Sequence, residues 1–249
     1  CDGTTHCQIS KDDETFCTDL NCPQLCSCFI YAATCMNSSA FPNLSPMTRS
    51  VVLDNSIFIE SGITNQLTDL SNFLILTLRN ANVENIPDFT FKTNSLLLVL
   101  NLRRNLIKSI TSHSFFNLSP LYYLNLGQNC IAHLEEYRFQ FLYSLRYLYL
   151  DSVHIQSIQD NSFFSLGSLN YQNLEENLLT KFSKITFVHL SSLELLNLRN
   201  NKLKEVHIDS IKSFNSLKFI ITNQIAFCCK FSNNLQSVLN CKEINEDNI

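Results

Sequence analysis

The stretch Leu97-Leu98-Val99-Leu100-Asn101-Leu102-Arg103-Arg104-Asn105-Leu106-Ile107 decides how this chain folds, because its pattern returns after a step of 24 residues. Copies begin at Leu97, Leu121, Leu145, Leu169, Leu193 and Leu217, and an earlier one begins at Phe73 with Leu76 and Leu78. A weaker copy fits Val51, Leu53 and Phe58, which makes about eight. Self-similarity at a fixed step of this size is the mark of stacked coils, each too small to bury its apolar side alone.

With the first leucine of each copy as offset 0, offsets 3 and 5 point to one side of a short strand and offset 4 to the other. Each coil therefore buries leucines such as Leu124 and Leu126 and turns a variable set outward, at offsets 1, 2, 4, 6 and 7. Asn105, Asn129, Asn177 and Asn201 recur at offset 8, where an amide can bond backbone groups at the exit from the strand. A second apolar seam has Phe91, Phe115, Phe139, Phe163 and Phe187 at offset 18 and Leu118, Leu142, Leu166 and Leu190 at offset 21. Its recurrence in five coils reads as core under the convex side rather than as a ligand pocket. Three positions break the pattern: Ala81 and Val153 take the place of the asparagine, and Gln172 takes a core-facing offset, where a bonded amide is expected.

The pattern L-x-x-L-x-L-x-x-N-x-L resembles the leucine-rich repeat. That resemblance implies an α/β, β-rich fold: a curved solenoid with one parallel sheet on the concave face and disulfide-capped ends. The chain divides into a cysteine-bearing segment at 1–17, a cysteine-rich cap at 18–44, the repeats at 45–226 and a cysteine-rich junction at 227–249.

A net charge of −4 suggests neither nucleic acid nor anionic membrane as the partner. Ten of the 11 cysteines lie outside the main repeats, which reads as disulfide-bonded ends in an oxidising compartment. Cys130 stands alone inside them and reads as a buried free thiol. Sequons at Asn37, Asn43 and Asn117 agree with secretion, the last weakened by the Pro120 that follows it. No signal peptide or apolar run long enough to span a bilayer is visible, and the abrupt ends read as a piece of an ectodomain.

Cys22-Pro23-Gln24-Leu25-Cys26-Ser27-Cys28 with Cys35 offers thiolates for zinc or sulfurs for disulfides, and the secretory signals favour disulfides. The group resembles the N-terminal cap of extracellular leucine-rich repeat proteins, which implies the pairs Cys22–Cys28 and Cys26–Cys35. Ahead of it, Cys1-Asp2-Gly3 with Cys7, Asp12-Asp13-Glu14 and Cys17 resembles the C-terminal half of an LDL-receptor class A module. That resemblance implies a Cys1–Cys17 pair and Ca²⁺ ligation by Asp2, Asp13 and Glu14, while a solvated acidic loop is the plain alternative. Cys228-Cys229 followed by Cys241 resembles the junction between repeats and hinge in glycoprotein-hormone and relaxin receptors, with Cys229 and Cys241 implied to be disulfide-bonded.

The order of half module, cap, repeats and junction is similar to that of relaxin-receptor-like G-protein-coupled receptors. It implies capture of an extracellular peptide or protein hormone on the outer side of the plasma membrane, and a G protein as partner through a membrane domain. Only Thr18 to Asn21 separate module from cap, shorter than the linker of relaxin receptors. On the exposed offsets, Tyr123, Tyr147 and Tyr171 with Tyr149 form an aromatic stripe suited to a protein or peptide, although they could equally cover the strands. Arg79, Arg103 and Arg104 make one end of the face basic, and Asp151, Glu175 and Glu176 make its middle acidic. Relaxin receptors hold hormone arginines with acids at offsets 4 and 6; here offset 6 supplies Asp151 and Glu175, and offset 4 supplies Tyr149 and Asn173. A secreted matrix or adhesion protein and an innate immune receptor remain alternatives. Seven spanning segments downstream of Ile249 would mark the G-protein-coupled receptor, one the immune receptor and none the secreted protein. Four glycines, scattered histidines and the lack of G-x-S-x-G or H-E-x-x-H argue against an enzyme.

Overall fold

A computed structural model describes residues 22–29, 31–39, 41–56, 72–183, 185–204 and 214–223. The implied calcium ligands Asp2, Asp13 and Glu14, and Cys1, Cys17, Cys229 and Cys241, lie outside these residues. The strands in chain order are β1 (Cys26–Phe29), β2 (Ala32–Met36), β3 (Ser50–Asp54), β4 (Ile75–Arg79), β5 (Asn85–Ile86), β6 (Val99–Asn101) and β7 (Ser109–Ile110). They continue with β8 (Tyr123–Asn125), β9 (His133–Leu134), β10 (Tyr147–Tyr149), β11 (Ser157–Ile158), β12 (Tyr171–Asn173), β13 (Leu195–Asn197) and β14 (Phe219–Ile221). No helix occurs among the described residues, so the fold is the β-rich form of the expected solenoid.

One sheet of ten strands runs β1-β2-β3-β4-β6-β8-β10-β12-β13-β14, and from β2 onward every pair is parallel. The 24-residue step places equal offsets opposite each other, so Leu124 faces Leu148 and Tyr123 faces Tyr147. Offsets 3 and 5 are buried throughout, in one continuous core that also takes in the phenylalanine column. Phe115, Phe139, Phe163 and Phe187 stack nearly parallel, with centroids 6.1, 6.2 and 5.8 Å apart. Parallel strands lie only about 4.8 Å apart. The back of each coil is therefore thicker than the front, and the solenoid bends with the sheet on its concave side.

The antiparallel β1–β2 hairpin closes the first end. It carries both implied disulfides, Cys22–Cys28 and Cys26–Cys35, and lays buried Ala33 and Cys35 over the first coil.

The offset-8 asparagines satisfy the strand exits in pairs of coils. The Asn177 amide donates to Leu150 O at 2.8 Å and Leu174 O at 2.9 Å, and its Oδ1 accepts from Val153 N–H at 3.2 Å and Ile155 N–H at 2.9 Å. Asn105 does the same for Leu78, Leu102, Ala81 and Val83. The coils whose own ladder residue is Ala81 or Val153 are thus served by the asparagine of the next coil. In the first coil Ser56 takes the position, accepting from Ser38 N–H and donating to Asp54 O.

Two expectations are corrected. Gln172 is fully buried between Leu148 and Leu196, but neither amide atom finds a partner, because every neighbouring offset-3 side chain is aliphatic. Cys130 is exposed, not buried, because its backbone N–H is drawn to Ile107 O of the preceding coil while Ile131 next to it takes the core position.

These arrangements make opposite substitutions informative. Asn177→Ala strips four backbone groups of their partner and is expected to lower the free energy of unfolding by about 3 kcal/mol or more. Gln172→Leu removes an unpaired buried amide and is expected to raise it by about 1 to 3 kcal/mol. Urea denaturation followed by circular dichroism measures both.

Candidate functional site

From β4 to β14 offset 2 points away from the core, and its residues are apolar or aromatic: Ile75, Val99, Tyr123, Tyr147, Tyr171, Leu195 and Phe219. At the centre the rings touch. Tyr149 lies 5.3 Å from Tyr123 and 5.2 Å from Tyr171 between centroids, and Tyr147 lies 6.5 Å from Tyr171. Tyr122 meets Tyr147 edge to face at 6.4 Å.

Tyr149 reaches this position because it departs from a local rule. At offset 4, Asn101, Asn125, Asn173 and Asn197 each accept with Oδ1 from the N–H two residues on, at 2.9 to 3.1 Å, which turns the chain out of the strand. That turn buries Asn125, Asn173 and Asn197, so offset 4 is not the exposed position that alternation alone implies. Tyr149 has no such acceptor, and its ring lies instead between Tyr123 and Tyr171.

The cluster is half sheltered from water. Burial, reinforced by Tyr149 and by the carboxylates of Asp151 and Glu175, pushes the Tyr171 phenol up to about 12, and burial also raises Tyr149. The unfolded chain loses these protons near pH 10. Between that pH and 12 the folded state alone holds the Tyr171 proton, so stability falls across this window.

Two ion pairs tie charges of the face together, while Arg104, Glu175 and Glu176 bond neutral side chains. Arg103 crosses an entire coil to place Nη1 2.7 Å from Asp151 Oδ2, so Asp151 is buried and not open to a ligand. Gly127 lies at the same offset on the coil between them, and a Cβ there would sit 2.4 Å from Arg103 Nη1 and 2.7 Å from Asp151 Oδ1. Arg79 grips Asp54 with both Nε and Nη2, which holds that carboxyl below its usual range. Glu175 Oε2 accepts from Asn197 Nδ2 at 3.0 Å, and Glu176 Oε2 accepts from Ser152 Oγ at 2.7 Å. The separation into basic and acidic ends is thus bridged along the sheet.

Offset 7 carries a column that the sequence reading missed. Asn55, Asn80, Arg104, Gln128, Ser152, Glu176 and Asn200 all have φ between 52° and 58°, a backbone state that repetition at one offset could have signalled. Their side chains bond from coil to coil, as in Arg104 Nε to Gln128 Oε1 at 2.7 Å.

Among the described residues no cluster of three or more His, Cys, Asp or Glu is placed to hold a metal, and no helix is long and apolar enough to cross a membrane. The sequon residues Asn37, Asn43 and Asn117 are all exposed.

The profile of the family "Leucine rich repeat" matches residues 71–121, 107–154 and 143–203. Among curated proteins no sequence matches. Among solved structures, that of a TLR13–ssRNA13 complex aligns at a TM-score of 0.60 and 26% identity, covering 74% of this chain. The chain spans only 30% of that protein. Human 5T4 (Wnt-activated inhibitory factor 1, trophoblast glycoprotein) aligns at a TM-score of 0.67 and 20% identity, over 88% of this chain and 89% of its own, a likeness of fold.

Two measurements test the site. Ultraviolet titration of the tyrosines is expected to show one phenol ionising near pH 12 that disappears in Tyr171→Phe. Gly127→Ala and Arg103→Ala both break the same ion pair, so each is expected to cost about 1 to 2 kcal/mol and the double variant much less than the sum. Their unfolding free energies form the double-mutant cycle.

Proposed function

Because the chain belongs to the leucine-rich repeat family, we propose that its sheet face captures an extracellular protein or peptide ligand, as the ligand-binding region of a relaxin-receptor-like G-protein-coupled receptor. The observation that carries the capture is the tyrosine cluster, in which Tyr123, Tyr147, Tyr149 and Tyr171 present touching rings across three adjacent strands. Such rings give large contact area with few rotatable bonds, and their phenols offer donors at the edge of an apolar patch. Leu195 and Phe219 on one side and Val99 and Ile75 on the other extend the patch enough to follow an extended segment of a ligand. Glu175 and Glu176 supply acidic groups at its rim, while Asp151 acts by holding Arg103 in place.

The receptor assignment draws on the order of features along the chain: the half class A module, the disulfide cap, the repeats and Cys228-Cys229. On this reading the chain sits on the outer face of the plasma membrane, calcium belongs to the N-terminal module through Asp2, Asp13 and Glu14, and a G protein couples through a membrane domain.

The likeness to TLR13 favours a second reading, an innate immune or adhesion protein. That neighbour was solved with single-stranded RNA. Here Arg79 and Arg103 are paired with Asp54 and Asp151, and Glu175 and Glu176 add negative charge at the tyrosines, which disfavours phosphate contacts there. This supports a protein ligand in either reading.

A screen of secreted peptides and ectodomains against the immobilised chain identifies the ligand. Tyr147→Ala is then expected to weaken its binding by about 2 kcal/mol, roughly thirtyfold, with Tyr143→Ala on the opposite flank unchanged. Equal affinities for wild type and Tyr147→Ala would remove the sheet face as the binding surface.

A further inference from the structure

Arg103 and Arg104 both reach from their own coil toward the one that begins at Leu121. Arg103 passes over Gly127 on its way to Asp151, and Arg104 Nε donates to Gln128 Oε1 at 2.7 Å. Two guanidinium groups are thus laid over adjacent residues, but their engagement differs. Arg103 has a carboxylate partner, whereas among the described residues Arg104 has none, and its one side-chain bond goes to a neutral amide. Arg104 is exposed, and its terminal nitrogens keep the planar fork that matches a carboxylate.

The tyrosine cluster borders these groups through Asn125. Its Oδ1 accepts from Gly127 N–H at 2.9 Å, and its Nδ2 donates to Tyr123 Oη at 3.3 Å. The Tyr123 oxygen is therefore an acceptor already, and its own O–H is left to donate elsewhere. Local charge comes to a single positive unit. Arg103 and Asp151 offset each other, Arg79 and Asp54 do the same on the preceding coils, and Arg104 remains. Further along the same two offsets stand Glu175 and Glu176, which repel an anion brought toward them.

We propose that Arg104, Arg103 and the Tyr123 hydroxyl form an anion subsite at the edge of the tyrosine cluster, which seats one aspartate or glutamate side chain of the protein ligand. The inference rests on the sheet face being the binding surface, and it adds a required ligand residue and a direction. Arg104 receives the carboxylate end-on through its terminal nitrogens, while Nε stays on Gln128 and holds the group in place. Arg103 adds a second guanidinium, fixed by Asp151 and given room by Gly127, where a Cβ would stand 2.4 Å from its Nη1. One uncompensated positive charge matches one carboxylate, and a run of phosphates would exceed it. Because Glu175 and Glu176 repel the same group, the acidic residue of the ligand lies toward the Leu97 coil and its apolar part lies on the tyrosines.

A display library of random linear peptides, panned on the immobilised chain, supplies the probe. Peptides retained by wild type and lost on Tyr147→Ala report on the sheet face. Each is expected to carry an aspartate or glutamate whose replacement by the amide weakens binding to wild type about tenfold and leaves binding to Arg104→Gln unchanged. Arg104→Lys keeps the charge without the fork and is expected to lose about threefold. Panning on Arg104→Glu should return peptides without that acid. Tyr147-dependent peptides that bind wild type and Arg104→Gln equally would overturn the subsite and leave the sheet face standing. Were no retained peptide to depend on Tyr147, the sheet-face reading itself would fail, and the subsite with it.

Discussion

The structure depends on one obligation: backbone groups that leave each strand inside a stacked core must find partners. A single amide with two donors and an acceptor answers it, and Asn177 shows how, bonding two carbonyls and two N–H groups drawn from its own coil and the preceding one. Because each asparagine reaches backward, a coil that lacks its own ladder residue still has its exit groups bonded where its successor keeps one. Ala81 and Val153 are both succeeded by a coil that does, at Asn105 and Asn177. The ladder also locks the register, since a slip of one residue would take the amide away from all four groups at once.

Register in turn creates the face. Equal offsets stand opposite each other, so a tyrosine recurring at offset 2 becomes a column of neighbouring rings. A single departure at offset 4, where Tyr149 replaces the turn-forming asparagine, joins that column into a cluster. The same alignment lets Arg103 reach Asp151 two coils away across Gly127, where a side chain would obstruct it. The centre of the surface thus offers aromatic contact area, with Asp54–Arg79 and Arg103–Asp151 paired beside it.

Much of this was legible in the sequence. Spacing alone identified the sheet, the leucine core, the phenylalanine column and the asparagine positions, and the cysteine spacing with its family resemblance identified both cap disulfides. The tyrosine stripe was also visible, because strand alternation has a fixed period. What spacing could not reveal were interactions that depend on side-chain reach. The burial of Asp151 comes from a long arginine crossing a glycine, and the exposure of Cys130 comes from a turn that assigns the core position to Ile131. Gln172 was recognised as anomalous, but its lack of any partner is a property of its aliphatic neighbours.

The central claim is that ligand binds the tyrosine cluster of the sheet. Radical footprinting of the secreted ectodomain with and without its ligand tests it most directly, since each tyrosine reports its own solvent contact by mass spectrometry. The account requires ligand-dependent protection of Tyr147 and Tyr171, with Tyr137 and Tyr143 on the far side labelled equally in both states. Protection of Tyr137 and Tyr143, with Tyr147 and Tyr171 still labelled, would contradict it.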